Sequence, residues 1–313
     1  MAAAIVYTAF GGPEVLTLTA LDMPQPTSGH VVVRVEAAGV NPIDAKLRSG
    51  ARDPAPITVR RRVGRDGAGV VTAVGEDVDG FRPGDEVVFF ATPGAYASEV
   101  LVAVGRLHHR PPQVSASEGA ALGIPAGTAY QSLRSLDVRE GDTLLIHGGS
   151  GSVGQAAIQY AVLWGATVIA TASPRRFDRI EELGATPVAY GEGLADRVRA
   201  AAPHGVTVAL DAAGTDEALQ VSRDLVADRG RVATIVRGAD AAARGIRAFS
   251  GGSPEPLTAQ QDAWRAEAVP VTLALLAVGR FSVELGPRLP LAEAAEAHRL
   301  VEAGAPGKIV LLP

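Results

Sequence analysis

The chain contains no cysteine. Disulfides, thiol catalysis and thiolate metal sites are excluded together, and the compartment is not decided by redox chemistry. Lysine is nearly absent too: Lys46 and Lys308 are the only two, so almost all positive charge is arginine. The six histidines, at 30, 108, 109, 147, 204 and 298, are scattered without ligand spacing. No basic domain stands out from a net charge of -5, which argues against a nucleic-acid partner. No apolar run approaches the roughly eighteen residues of a membrane span. The start, MAAAIVYTAF, lacks the basic region of a signal peptide. A cytoplasmic protein without a membrane partner is expected. What is present is 313 residues, 47% hydrophobic and 20% charged, enough for a large core in two domains.

The most informative stretch is Thr143 to Ser173. Thr143 to His147 has buried-strand character and runs into a Gly-rich turn. Val153, Ala157, Tyr160 and Trp164 then recur at helical spacing, Gly165 breaks the helix, and Ala166 to Ala170 reads as a second strand. Within this β-α-β unit, Gly149-Ser150-Gly151-Ser152-Val153-Gly154 matches the dinucleotide fingerprint in its required context. Gly149 allows a tight turn, Gly151 lets the backbone approach a pyrophosphate, and Gly154 lets the helix pack close to the strand. The N–H groups of the first helical turn would face the phosphates. The alternative is a strand-to-helix turn with no ligand.

An NAD pocket usually places an acid about twenty residues after the glycines. Here the second strand ends in Thr171, Ala172 and Ser173, followed by Pro174, Arg175 and Arg176. A hydroxyl and two guanidiniums suit a 2′-phosphate, so NADPH is the expected cofactor. The competing reading makes Arg175 and Arg176 solvated residues of the next helix.

Residues 1–118 read as short β-rich runs at Ala2 to Phe10, Val31 to Ala37, Val70 to Val74, Glu86 to Phe90 and Glu99 to Val102, a small barrel or sandwich. Pro111-Pro112 and the capping pattern Ser115 to Glu118 mark a boundary. Strands and helices then alternate through residues 119–256, a doubly wound parallel sheet of the Rossmann type in an α/β protein. The last part, 257–313, carries helices Thr258 to Val278 and Leu291 to Ala303 and a terminal strand, Lys308 to Leu312.

An ordered set of motifs resembles the zinc-independent quinone oxidoreductase (zeta-crystallin-like) branch of the medium-chain dehydrogenase/reductase superfamily. It comprises Gly11-Gly-Pro-Glu-Val-Leu16, Gly39-Val-Asn-Pro-Ile-Asp44, Leu47-Arg-Ser-Gly50, Gly67-Ala-Gly-Val-Val71, Gly94-Ala-Tyr-Ala97, Gly127-Thr-Ala-Tyr130, His147 to Gly154, and Gly307-Lys-Ile-Val310. The resemblance implies a GroES-like catalytic domain built from both chain ends around a central Rossmann domain, with the active site between them. It implies NADPH, a quinone or α,β-unsaturated carbonyl substrate (enone, enal or enoyl thioester), and a homodimer. No metal is implied, because the places of the zinc branch's ligands hold Asn41, Arg65 and Asp66. Hydride would pass to a conjugated carbonyl while hydrogen-bond donors stabilise charge developing on its oxygen.

By family position, Asn41 is the first candidate to face substrate and nicotinamide; otherwise it shapes the turn before Pro42. Asp44 fixes local structure. Thr128 matches the threonine beside the nicotinamide ring, and Tyr130 is either catalytic or core. Ser173, Arg175 and Arg176 carry over as the 2′-phosphate site, Tyr190 as its adenosine-side neighbour, and Val236 with Arg237 as the loop near the carboxamide. One departure is Val59-Arg-Arg-Arg-Val63 followed by Arg65. It is either an anion-recognising cluster, with Arg62 as a substrate contact, or a solvated basic edge. Alternative functions are a tailoring reductase of a polyketide-like intermediate, or a non-redox NADPH binder or cyclase. The dimer-forming edge run, Gly245 to Ser250, is short and bounded by Gly251-Gly252, which puts the usual strand pairing in doubt.

Overall fold

The computed structural model describes residues 1–249 and 255–313. It divides into two units, Met1–Ile124 with Val269–Pro313, and Pro125–Ala268.

The first unit opens with β1 (Ala2–Tyr7), β2 (Thr17–Leu21) and β3 (His30–Gly39), then helix α1 (Pro42–Arg48). It continues with β4 (Arg61–Arg62), β5 (Asp66–Val74), β6 (Glu86–Phe89), β7 (Glu99–Ala103), β8 (Leu107–His109) and α2 (Ala116–Ala120). The Ser115 capping box forms as expected: its hydroxyl accepts from Glu118 N at 3.2 Å, and Glu118 accepts from Ser115 N at 2.8 Å. Helix α3 (Gly123–Ser135) leads into the second unit.

That unit is α/β throughout. It runs β9 (Thr143–His147), α4 (Ser152–Leu163), β10 (Thr167–Ala172), α5 (Phe177–Glu182), β11 (Thr186–Ala189) and α6 (Leu194–Ala201). It continues with β12 (Val208–Asp211), α7 (Asp216–Leu225), β13 (Val232–Thr234), α8 (Gly238–Ala241) and β14 (Arg247–Ala248), and the chain leaves it within α9 (Ala259–Ala277), whose residues from Val269 onward belong to the first unit. The last elements, β15 (Leu285–Pro290), α10 (Ala294–Glu302) and β16 (Lys308–Leu312), return to the first unit.

In the first unit, β16 pairs antiparallel with β3, so the two ends of the chain share a sheet of order β15-β16-β3-β5-β6-β8, with β7 also on β3. A second sheet, β2-β1-β4, includes two of the arginines of the basic run. Val31, Val33, Phe89, Tyr96, Ile309 and Leu311 share the core of the first unit. In the second unit the order β11-β10-β9-β12-β13-β14 is wholly parallel. Its strands are covered on both faces, which is why Leu144, Leu145 and Ile146 are all fully buried and read as an unbroken apolar run. The strand order reverses between β9 and β12, and ligands of such sheets bind at the carboxyl ends of strands at that point. The edge strand β14 is two residues long; Ser250 and Gly251-Gly252 lie outside the described residues.

Candidate functional site

In the second unit the turn between β9 and α4 is built by close approach. Gly148 takes φ 78°, a left-handed conformation that favours glycine. Its N–H donates to Thr171 Oγ1 at 3.1 Å, and Gly149 N donates to Thr171 O at 2.9 Å, so β10 holds the turn down. A Cβ on Gly149 would stand 2.7 Å from Ala170 Cβ, and one on Gly154 2.3 Å from Gly148 O. At Gly151, by contrast, a Cβ would meet only Gly148 O within 4 Å, at 3.6 Å. The turn is tight against the protein and open on one side. Ser152, Val153 and Gly154 start α4, and N–H groups at these positions have no partner within the helix. Ser150, Ser152 and Val153 are half-buried and Gly151 is exposed.

Past β10, Ser173 precedes a 3-10 turn, Pro174–Arg176, in which Arg175 is exposed and Arg176 half-buried. Parallel pairing aligns Ala172 with Ala189, so Ser173 and Tyr190 are the first residues beyond adjacent strands. At the other side of the reversal, buried Asp211 accepts from Ala213 N (2.9 Å), Gly214 N (2.8 Å) and Thr234 Oγ1 (2.7 Å). Thr234 in turn accepts from Val236 N (3.1 Å) and Arg237 N (3.0 Å). The backbone N–H groups of Val236 and Arg237 are thus engaged internally, and the Arg237 side chain pairs with Asp240, Asp216 and Gly214 O.

Thr128 and Tyr130 lie on α3. Thr128 is buried and its hydroxyl accepts from Arg265 Nη2 at 2.7 Å. Tyr130 is buried with its ring edge-on to Tyr160 (5.2 Å) and Trp164 (5.4 Å), and Arg134 lies 5.4 Å from its centroid. Burial also raises its phenol above the ordinary range, keeping it protonated. This is an aromatic cluster of the core, the second of the two expected environments.

In the first unit Asn41 is 1% exposed. Its backbone N donates to Asp44 Oδ2 at 2.9 Å as it leads into α1. Its Nδ2 donates to Gly39 O (3.3 Å) and Asp66 Oδ2 (3.0 Å), and its Oδ1 accepts from Lys308 Nζ. Both amide hydrogens are engaged within the unit, so as arranged Asn41 has none left for a ligand. Asp66 also accepts from Ile124 N at 2.8 Å, and Tyr96 donates to Asp44 at 3.1 Å. Burial, then the Asp66 charge, pushes Asp44 up to about 7. Burial raises Asp66 as well and brings Lys308 down to about 8. The basic run is also largely tied down. Arg61 donates to Asp53 (3.0 Å) and Ala55 O (2.9 Å) and lies 5.3 Å from the Phe10 centroid, while Arg62 donates to Gly94 O at 3.1 Å. Arg60 is exposed.

The alcohol dehydrogenase GroES-like domain family matches residues 27–132, and the zinc-binding dehydrogenase family matches residues 152–247. The quinone oxidoreductase of Sus scrofa is 32% identical over 317 residues, covering 97% of this chain and 95% of that protein. The chain belongs to the quinone oxidoreductase family of medium-chain dehydrogenase/reductases. Among solved structures of quinone oxidoreductases, that of Pseudomonas syringae pv. tomato matches with a TM-score of 0.86 and 32% identity over the full length of both chains. That of Escherichia coli, solved in complex with NADPH, matches with 0.85 and 26% identity over 99% of this chain and 100% of that one. Among the described residues, no helix is long and apolar enough to cross a membrane.

The structure gives roles to residues beyond the fingerprint glycines. Gly148 supplies the left-handed step of the turn, and Thr171, Asp211 and Thr234 anchor the loops around it. A polar residue ending an otherwise apolar buried strand was the available signal for Asp211 and Thr234. Nothing in the sequence points to Lys308 as the partner of Asn41, 267 positions away.

Proposed function

We propose that this chain is an NADPH-dependent oxidoreductase that reduces a quinone or an α,β-unsaturated carbonyl without a metal. The observation that carries the reading is the turn at Gly148 to Gly154, closed against Ala170 and Thr171 but open at Gly151, at the reversal point of a parallel sheet. The NADPH complex of the E. coli relative supports it. The open backbone at Gly151 and the N–H groups of Ser152 to Gly154 would hold the pyrophosphate. Ser173, Arg175 and Arg176 would hold the 2′-phosphate, and Tyr190 the adenosine side. Bound there, the cofactor supplies a hydride. The loops at Val236 and Arg237 are fixed by Asp211 and Thr234, so their role is to shape the nicotinamide end rather than to donate free N–H groups.

Of the three catalytic candidates, Thr128 is the one whose polar group suits contact with the reacting partners, with Arg265 orienting its hydroxyl. Asn41 and Tyr130 act as buried supports. The residues standing at the zinc branch's ligand positions do not fit zinc. Arg65 is a cation, the Asn41 oxygen already accepts from an ammonium, and that same Lys308 would repel a divalent ion beside Asp66. A homodimer belongs to the same reading, and sedimentation velocity tests it.

The deciding experiment compares dissociation constants of NADPH and NADH in wild type and in Arg175→Ala/Arg176→Ala, followed by NADPH consumption with a panel of quinones and enones. Preference for NADPH that disappears in the double variant, with turnover on at least one acceptor, is expected. Equal affinity for NADH and no effect of the substitutions would overturn the cofactor assignment.

A further inference from the structure

Gln155 is a polar side chain in a mostly apolar helix, α4, and it is 5% exposed. An amide in such a place loses its water and must recover hydrogen bonds from the protein. It finds them at both ends. Its Nε2 donates to Ser150 O at 2.9 Å, and its Oε1 accepts from Arg179 Nε at 3.0 Å. An aliphatic side chain would fill the same space without these requirements, so the amide serves the two groups it joins.

The first group is the glycine turn. Ser150 O and Gly151 N belong to one peptide plane and point in opposite directions. Gly151 N donates to Gly148 O at 3.2 Å, so with Gln155 on the oxygen the plane is held from both sides. Glycine at 151 would otherwise make rotation of that plane easy. A carbonyl oxygen turned toward a phosphate repels it, and Gln155 keeps this one occupied from the buried side of the turn.

The second group orients the amide. Arg179 lies on α5, one turn beyond Arg175 and Arg176, with its side chain 20% exposed and its Nη1 donating to Glu182 at 3.2 Å. A guanidinium offers donors only, so it draws Oε1 of Gln155 toward itself and leaves Nε2 for Ser150 O. Reversing the amide would set two oxygens against each other. The Arg179 bond is charge-assisted, which makes it the stronger of the two.

We propose that Gln155, oriented by Arg179, is a positioning residue that holds the Ser150 carbonyl oxygen out of the pyrophosphate site and so keeps the open side of the turn receptive to an anion. The inference rests on the NADPH reading above. Both side chains act through the Ser150 peptide rather than by touching the cofactor.

Two ligands test this. One is NADPH; the other is adenosine 2′-monophosphate, which carries the 2′-phosphate but no pyrophosphate. Dissociation constants are measured by cofactor fluorescence and by competition for wild type, Gln155→Met, Arg179→Met and the double variant. Gln155→Met should weaken NADPH about tenfold, the scale of one hydrogen bond, and leave adenosine 2′-monophosphate within about twofold of wild type. A general loosening of the unit predicts equal weakening of both ligands, and that result, or unchanged NADPH affinity, overturns the proposal. Arg179→Met should weaken NADPH about fivefold in the wild-type background and less than about twofold in the Gln155→Met background. The same factor in both backgrounds would mean that Arg179 acts by its charge alone, and would overturn its orienting role. If Gln155→Met does not fold, Arg179→Met, at the more exposed end of the pair, carries the same two-ligand comparison. Wild type that binds neither ligand would sink the NADPH reading itself, whereas wild type that binds both, with Gln155→Met indifferent, would sink this inference alone.

Discussion

Asp44, Asp66 and Lys308 in the first unit are 1%, 0% and 3% exposed, whereas Asp142 in the second unit meets an Arg231 side chain that stays 20% exposed. Both places hold carboxylates near a cation, yet the shifts run in opposite directions. In the first, burial dominates: among the described residues Asp44 Oδ1 and Asp66 Oδ1 have no hydrogen-bond partner, Asn41 stands between ammonium and carboxylate, and Asp44 rises to about 7. In the second, burial would also raise Asp142. Two bonds from Arg231 (2.8 Å each), one from Thr207 (2.7 Å) and one from Arg139 N (2.9 Å) outweigh it and hold the group at about 2. Whether a buried acid is acid-stabilised or acid-sensitive is decided by how many donors reach it.

The largest expected effect comes from removing Lys308, the cation of the first network. Lys308→Met leaves two buried carboxyl groups without a counter-charge and frees the Asn41 oxygen, which should cost about 3–5 kcal/mol in urea unfolding. Adding Asp66→Asn should recover a large part of that loss. A loss below about 1 kcal/mol for Lys308→Met would show that Asp44 and Asp66 are already neutral in the folded state.

The same contrast predicts opposite pH slopes. Asp44 is raised from 3.8 to about 7, so its contribution is fully present below 3.8 and is lost as pH rises through about 7. Asp142 is lowered from 3.8 to about 2, so its contribution is present above 3.8 and is lost as pH falls through about 2. Each slope is bounded at about 1.4 kcal/mol per pH unit for one proton. Urea midpoints recorded from pH 2 to pH 8 should show Asp44→Asn removing the decline toward neutrality, and Asp142→Asn removing the rise out of acid. If Asp44→Asn left the neutral limb unchanged, the two clusters would not differ as described.

A smaller contrast lies within the turn itself. A methyl at Gly154 meets backbone at 2.3 Å, so Gly154→Ala should cost about 1–3 kcal/mol of stability and disturb cofactor binding together. Gly151→Ala finds room on the protein side, so its melting temperature should stay near wild type while NADPH affinity falls. Equal loss of stability in both variants would mean that Gly151 is structural and its open side is not a ligand side.

These contrasts were unequally legible in the sequence. Strand β9 matches its expected bounds, because a local apolar run ending in a Gly-rich turn specifies it. Helix α1 carries its signals in plain view, Pro42 at the first turn and Asp44 reaching back to Asn41, but it is too short for apolar periodicity to announce it among the β-rich runs. Strand β15 contains Gly286, Pro287 and Pro290, which read as breakers; it tolerates them as an edge strand bonded only to β16. Strand β4 is two arginines with no apolar alternation, ordered by pairing with β1 and by side-chain bonds to Asp53, Ala55 O and Gly94 O. The glycine fingerprint was legible because every member is local. The Asn41 network was not, since Lys308 and Tyr96 reach it from distant segments.

The smallest effect should come from the basic run that departs from the family pattern. Arg61 is held by Asp53, Ala55 O and Phe10, and Arg62 donates to the Gly94 carbonyl, so two of the three consecutive guanidiniums already have partners inside the first unit. Anion recognition would require breaking those contacts or relying on exposed Arg60 alone, whose charge is screened within about 8 Å at physiological salt. Arg60→Gln is therefore expected to change KM for a carboxylate-bearing enone by less than about twofold, as for a single solvated charge. Arg62→Gln should instead lower the melting temperature while leaving the ratio of KM values for charged and neutral acceptors unchanged. A selective rise in KM for the charged acceptor in Arg60→Gln, absent for the neutral one and abolished by raising the salt, would restore the run as an anion-reading edge.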